Sequence, residues 1–373
     1  MEKVSYSILH TEWSDGWGGQ EQRIILECRK MMELGHKVVI ACQPGSGILQ
    51  KAVESGIPVE EVVMRGSVDP VAVWSLYRVI RKHGINVVST HSGKDSWPAG
   101  FAAKLARVEL LVRTRHLSLP IRNGFFNFVY RMPDGIVTTG EAIRDTMIAD
   151  NGIAPDKIVS IATGVSLDRF DPGRSCAPQL KRELGIPEGA PVVTMVAVLR
   201  GMKRHDLLIA AASQLRAQFP EARYLVVGDG PGREWLTGLV REAALEDRVI
   251  MAGYRNDIPE LLAISDVFVL TSDRNEGVPQ SISQAMAMGR PVVASPVGSI
   301  PELILDGRTG LLAQAGDAAS FARAIGRLLE EQPLRAALGK AARSHVLAGY
   351  TDDIMTRKTL NFYRFLQDKK RAA

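Results

Sequence analysis

At 373 residues, 46% apolar and 23% charged, the chain has the composition of a globular protein long enough for two domains of ordinary size. Its excess of five basic residues and pI near 9.1 are too mild to single out nucleic acid, and no helix–turn–helix, aromatic RNA-binding or zinc-finger pattern accompanies them. No apolar run approaches the roughly 20 residues of a membrane helix, and the acid at position 2 followed by a strand pattern argues against a signal peptide, so a cytoplasmic protein is expected.

In chain order the first half alternates strand and helix patterns. Strands are predicted over 4–10, 37–42, 59–64, 86–90, 110–115, 135–139 and 158–162, and helices from 19 and over 70–83, 96–107 and 141–151. Such alternation implies a parallel sheet with right-handed crossovers. A stretch rich in Pro, Gly and charge between Asp168 and Ala190 reads as a linker. The second half restarts the alternation, with strands over 192–199, 223–227, 249–252, 267–270 and 291–294. The tail from Tyr350 is an amphipathic helix. The expected class is therefore α/β, with two Rossmann-like lobes. Cys28, Cys42 and Cys176 share no metal or redox spacing and fit a reducing compartment.

Several motifs sit where strands hand over to helices. Gly18-Gly19 after the first strand either bring backbone close to a ligand or supply a tight turn with positive φ. His91 and His116 each end an apolar strand of the first half, as structural residues or as site residues, with Lys94 and Asp95 beside the former. The segment 104–131 holds six basic residues against one acid, with Phe125, Phe126, Phe128 and Tyr130 interleaved. It reads as a face for an anionic membrane or as a helix packing its aromatics inward. Arg200 and Lys203 follow the first strand of the second half, as diphosphate ligands or as solvated loop charge. Gly228 and Gly230 end the next strand. The Arg at 233, where a dinucleotide fingerprint needs a third glycine, disfavours NAD.

The stretch from 270 to 312 organises the second half. A buried strand, a loop carrying Glu276, Gly277 and Val278, a helix opening at Pro279 and stopped by Gly289, and a further strand make a βαβ unit. Its helix N-terminus suits an anion and its acid suits a sugar, although an ordinary crossover with a solvated Glu has the same pattern. Glu276-Gly277, Gln284-Ala-Met-Ala-x-Gly-x-Pro-Val-Val, Gly298-x-x-Pro-Glu302 and Asp306-Gly-x-x-Gly-Leu-Leu resemble the donor site of family 4 retaining glycosyltransferases. The likeness extends to Val137–Arg144 and to Gly164-Val-x-x-x-Arg-Phe-x-Pro172. It departs at Gln284, where the family carries its second acid, and at Val198, where the family's Arg would stand, leaving Arg200 to take that part beside the matching Lys203.

The resemblance implies two lobes facing a cleft (GT-B), residues 1–168 on the acceptor side and 190–350 on the donor side, with 351–373 crossing back to the first. It implies transfer from a nucleoside-diphosphate sugar to a glycan or lipid-linked acceptor, as in cell-envelope polysaccharide or lipopolysaccharide synthesis, with retention and no metal or cofactor. No Asp-x-Asp pair occurs in the chain. Glu276 and His116 would act at the sugar, Arg200 and Lys203 on the diphosphate, Gln284 and Glu302 on the nucleoside and Tyr254 near the base. Gly18, Gly19, Gly228, Gly230, Gly277, Val278 and Pro279 would line the donor, and His91, Lys94 and Asp95 would face the acceptor. Placement on the inner face of the cytoplasmic membrane is expected. A sugar-nucleotide 2-epimerase and a non-catalytic nucleotide-sugar-binding protein are the alternatives.

Overall fold

The computed structural model describes residues 5–116, 129–173, 177–274 and 276–372. The chain divides into two compact units, residues 1–164 with 352–373 and residues 165–351.

In unit 1 the strands are β1 (Ser7–Glu12), β2 (Lys37–Cys42), β3 (Val59–Glu61), β4 (Val87–Thr90), β5 (Leu110–Arg115), β6 (Gly135–Thr138) and β7 (Ile158–Ser160). The helices are α1 (Gly19–Glu33), α2 (Gly47–Glu54), α3 (Pro70–His83), α4 (Ser96–Ala106) and α5 (Glu141–Asn151). All pairings are parallel, in the order β3-β2-β1-β4-β5-β6-β7. The apolar runs of these strands are continuous because both faces are covered, and the two-residue period divides them. Ile8, Val38, Ile40, Val87, Leu110 and Val112 pack with Ile24, Cys28 and Met31 of α1. Leu9, Val39, Val88 and Leu111 point the other way, onto Leu76 and Ile80 of α3 and Ala99 and Ala103 of α4. The start of α3 shows the local code. Asp69 accepts from Val71 N and Ala72 N, Pro70 takes the first helical position, and Gly84 ends the helix in the left-handed region.

Unit 2 carries β8 (Val192–Val196), β9 (Arg223–Val227), β10 (Val249–Gly253), β11 (Val267–Leu270), β12 (Val292–Ala294) and β13 (Leu311–Leu312), ordered β10-β9-β8-β11-β12-β13 and parallel throughout. Its helices are α6 (Ala177–Glu183), α7 (His205–Leu215), α8 (Arg233–Glu242), α9 (Ile258–Ala263), α10 (Gln280–Ala287), α11 (Ile300–Leu303), α12 (Ala318–Glu330) and α13 (Gln332–Gly349). The segment expected to be a linker contains α6. Leu180, Ile186 and Ala190 are buried against Val192, Leu225 and Leu261, so this stretch belongs to the core of unit 2.

The last helix, α14 (Asp352–Ala372), returns to unit 1 and lies on α1 and β5. Met355, Phe362, Tyr363 and Leu366 complete the α1 side of the core, at roughly 1.5–3 kcal/mol for each side chain buried. A Cβ on Gly135 would stand 2.5 Å from Leu366 and 2.8 Å from Phe362, so the helix seats where β6 begins with no side chain.

Candidate functional site

An open parallel sheet binds ligands beyond the carboxyl ends of its strands, where the strand order reverses. In unit 2 that point lies between β8 and β11, and the loops leaving these two strands hold Lys203 and Glu276. They meet. Glu276 is 6% exposed, and its carboxylate accepts from Lys203 Nζ and from the hydroxyl of Ser272. The loops are stitched by backbone. The hydroxyl of Thr271, next after β11, lies 2.9 and 2.7 Å from the carbonyl oxygens of Lys203 and Arg204, and Asp273 N donates to Met202 O. Arg204 takes a left-handed φ of 49° and is held there by Asp206 at 2.8 Å and Asp273 at 3.7 Å. Beneath them His205 is buried, its pKa lowered to about 4 chiefly by burial and then by Lys203.

Glu276 is braced from the far side as well. Gly298, after β12, has φ 55° and comes so close that a Cβ there would stand 2.0 Å from the carbonyl oxygen of Glu276. Ser299 N donates to that same oxygen at 3.1 Å. Gly277 is partly exposed and Val278 buried. Pro279 is the residue just before α10, one position outside the first turn expected for it. Gln284 is partly exposed on α10. Glu302 lies in the single turn of α11, with its carbonyl receiving Tyr350 Oη at 2.8 Å. Arg200 is exposed and makes no ion pair among the described residues.

Gly228 and Gly230 have a steric reason to be glycine. Their φ values are 139° and 155°, and a Cβ would stand 2.0 Å from Ala197 O at the first and 2.8 Å from Leu199 O at the second. They press the loop after β9 against the loop that delivers Lys203. Tyr254 is 56% exposed, with its hydroxyl on Asn256 Oδ1, and Arg255 beside it is spent on Asp257 and Glu183.

In unit 1 the strand order reverses between β1 and β4. His91, Asp95 and His116 gather at this end, together with His10 and Glu12, which the sequence reading passed over. Glu12 is fully buried. Burial first and Asp95 second push its pKa up to about 8, although Ser14 N and Gln20 Nε2 donate to it. Asp95 is also fully buried, and its carboxylate is taken up by Thr11, His91 N and Ser92. Lys94 lies 3.6 Å over the ring of Trp13. Neither Gly18 nor Gly19 has a positive φ. Gly18 is extended at −149°, and the pair opens α1 with Glu21 accepting from Gly18 N, so the tight-turn alternative falls away.

Of the basic residues expected to form a face over 104–131, Lys104, Arg107 and Arg131 are exposed, whereas Arg113 and Arg115 are taken up by Tyr130. Arg113 is 3% exposed, with its guanidinium 4.1 Å over the ring of Tyr130, and Arg115 donates to the Tyr130 hydroxyl. Both charges turn inward because they ride on β5, covered on both faces. Phe125, Phe126 and Phe128 lie outside the described residues. Among the described residues no helix is long and apolar enough to cross a membrane.

Two family models match successive parts of the chain, "Glycosyltransferase Family 4" over residues 17–169 and "Glycosyl transferases group 1" over residues 177–345. The N-acetyl-alpha-D-glucosaminyl L-malate synthase of Bacillus anthracis is 33% identical over 52% of this chain and 50% of its own length, so the chain spans about half of that relative. The UDP-Gal:alpha-D-GlcNAc-diphosphoundecaprenol alpha-1,3-galactosyltransferase of Escherichia coli is 28% identical over 74% of each chain. Among solved structures, Anabaena HepE in complex with UDP-glucose superposes with a TM-score of 0.86 at 22% identity, covering 96% of this chain and 99% of that one. That likeness bears on the fold alone. The loops at the two switch points and these matches agree, and the chain belongs to the family 4 glycosyltransferases, with the GT-B fold and a group 1 transferase domain in unit 2.

Proposed function

We propose that this protein is a retaining glycosyltransferase that moves a sugar from a nucleoside-diphosphate sugar to a hydroxyl of a glycan or lipid-linked acceptor, with no resident metal ion. The observation that carries the reading is the Glu276–Lys203 pair at the switch point of unit 2. A buried acid at that point accepts hydroxyls of a neutral sugar and favours positive charge growing on its ring. Lys203 has three N–H donors, so it can hold Glu276 and a phosphate together, with the first-turn N–H groups of α10 adding to the grip. In the reaction the bond from the anomeric carbon to the diphosphate breaks. The acceptor oxygen bonds on the face the phosphate leaves, and the acceptor proton goes to the departing phosphate.

Support for the donor comes from the Anabaena structure with UDP-glucose, and for the acceptor from the diphosphoundecaprenol-linked saccharide named for the E. coli relative. A lipid-linked acceptor would bring the chain to the inner membrane face. Gln284 fits the reading as a weaker ribose ligand, because an amide gives up only the charge-assisted part of the contact, on the order of 1 kcal/mol. The metal-free reading rests on the sequence, which holds no Asp-x-Asp pair.

Incubation with a panel of nucleotide sugars tests the proposal. Slow release of nucleoside diphosphate is expected. An isomerised sugar would make the protein an epimerase, and binding without turnover a binding protein. In the same assay set, Lys203→Ala is expected to weaken nucleoside-diphosphate binding by ~1–3 kcal/mol. Arg200→Ala should weaken it less, because that side chain is exposed. Calorimetry with unchanged affinity for Lys203→Ala would take Lys203 off the diphosphate.

A further inference from the structure

Three histidines stand in a row across adjacent strands of unit 1. His10 lies in β1, His91 follows β4 and His116 follows β5. Nδ1 of His10 is 2.9 Å from Nε2 of His91, and Nδ1 of His91 is 3.1 Å from Nε2 of His116. The first two rings stack at 18° with centroids 5.2 Å apart, and the next pair follows at 5.4 Å. His10 is fully buried, His91 is 3% exposed and His116 is partly exposed, so the row runs from the interior to the carboxyl end of the sheet.

Each link needs one proton, and each neutral imidazole carries one. If His91 holds its proton on Nδ1, it donates to His116 and must accept from His10. All three rings are then Nδ1–H. If His91 holds it on Nε2, the same reasoning makes all three Nε2–H. A mixed row breaks a link or charges a ring. Burial opposes charge, lowering the pKa of all three rings, and Arg23 of α1 lowers each further, with Glu27 opposing it at His10.

Changing from one arrangement to the other moves a proton at both ends. At the inner end that means adding or removing a proton on Nε2 of His10, which is buried and has no protein partner among the described residues. The outer nitrogen of His116 therefore cannot switch between donor and acceptor unless the buried end switches too. We propose that His10 and His91 are positioning residues that lock His116 in one neutral tautomer, so that His116 meets its ligand as a fixed hydrogen-bonding group and does no acid–base work. This rests on the reading that His116 touches substrate; the row itself does not depend on it.

Nitrogen-15 NMR of histidine-labelled full-length protein separates protonated from bare ring nitrogens and needs no substrate, so absence of transfer activity would not alter its result. In the wild type all three rings are expected to be neutral and of one tautomer, and to stay so across about one pH unit either side of 6.5. His10→Phe removes the inner partner and is expected to turn His116 from one tautomer into a mixture. His10→Asn keeps an amide near the place of Nδ1 and is expected to preserve the single tautomer of His91 and His116. Rings of different tautomers in the wild type, a charged ring near neutral pH, or a His116 signature unchanged in His10→Phe would each overturn the lock. If His10→Phe fails to fold, a wild-type spectrum with rings of different tautomers or a charged ring still overturns the lock, and His91→Phe supplies the comparison for His116.

Discussion

Glu276→Gln is expected to lower turnover by at least ~10²-fold, close to 2.7 kcal/mol of barrier, while leaving donor affinity within a few-fold. The amide keeps the shape of the side chain and can still accept from the Ser272 hydroxyl, so the loop has no steric reason to move. What it loses is the charge that meets the sugar ring in the transition state. Lys203 is the complication, because the same carboxylate also orients that ammonium group. A double-mutant cycle with Lys203→Met separates the two parts. If Glu276 serves only to hold Lys203, either single change produces the same kinetic defect and the double change is no worse. If Glu276 acts on the sugar, Glu276→Gln lowers kcat while Lys203→Met raises donor KM, and the effects accumulate. Steady-state kinetics on the four proteins measures this, and a Glu276→Gln enzyme at near wild-type turnover would remove the acid from the mechanism.

The fold was legible because most strands carry a short apolar run, such as Val38–Cys42, Leu110–Val112 and Val267–Leu270, between polar or helical segments. The less visible elements were those whose burial depends on tertiary neighbours. The helix α6 hides in a stretch of Pro, Gly and charge and becomes core only when Leu180 meets Leu225 and Leu261. Loop positions were readable one at a time, and their partnerships were not. Lys203 and Glu276 are 73 residues apart, and they meet because β8 and β11 are neighbours and Thr271 ties one loop to the other. The histidine row has the same character. His10 looks like a core residue of a strand, and it becomes the inner end of a row only once the order β1-β4-β5 is known. Arg113 and Arg115 show the reverse error, since a count of charges says nothing about which way a strand turns them.

Gly298→Ala is expected to cost as much turnover as changing the acid itself, without touching any group that binds substrate. At φ 55° an alanine carries the left-handed penalty, ~1–2 kcal/mol, and its Cβ would be built 2.0 Å from the carbonyl oxygen of Glu276 and 3.1 Å from its nitrogen. A Cβ essentially never sits closer than 3.0 Å to such an atom, so the backbone of Glu276 must yield by about 1 Å. A displacement of that size at a catalytic group costs ~10²-fold in rate. Gly228→Ala is the control, because its Cβ would meet Ala197 O at the same 2.0 Å, in the loop that leads to Lys203 and away from Glu276. Both variants should melt lower than the wild type, Gly298→Ala mainly losing kcat and Gly228→Ala mainly gaining donor KM. Thermal melts set beside steady-state kinetics distinguish this from general damage. If the two variants lose activity only in proportion to their lost stability, with the same balance of kcat and KM, then Gly298 is a packing residue and the brace on Glu276 has no part in catalysis.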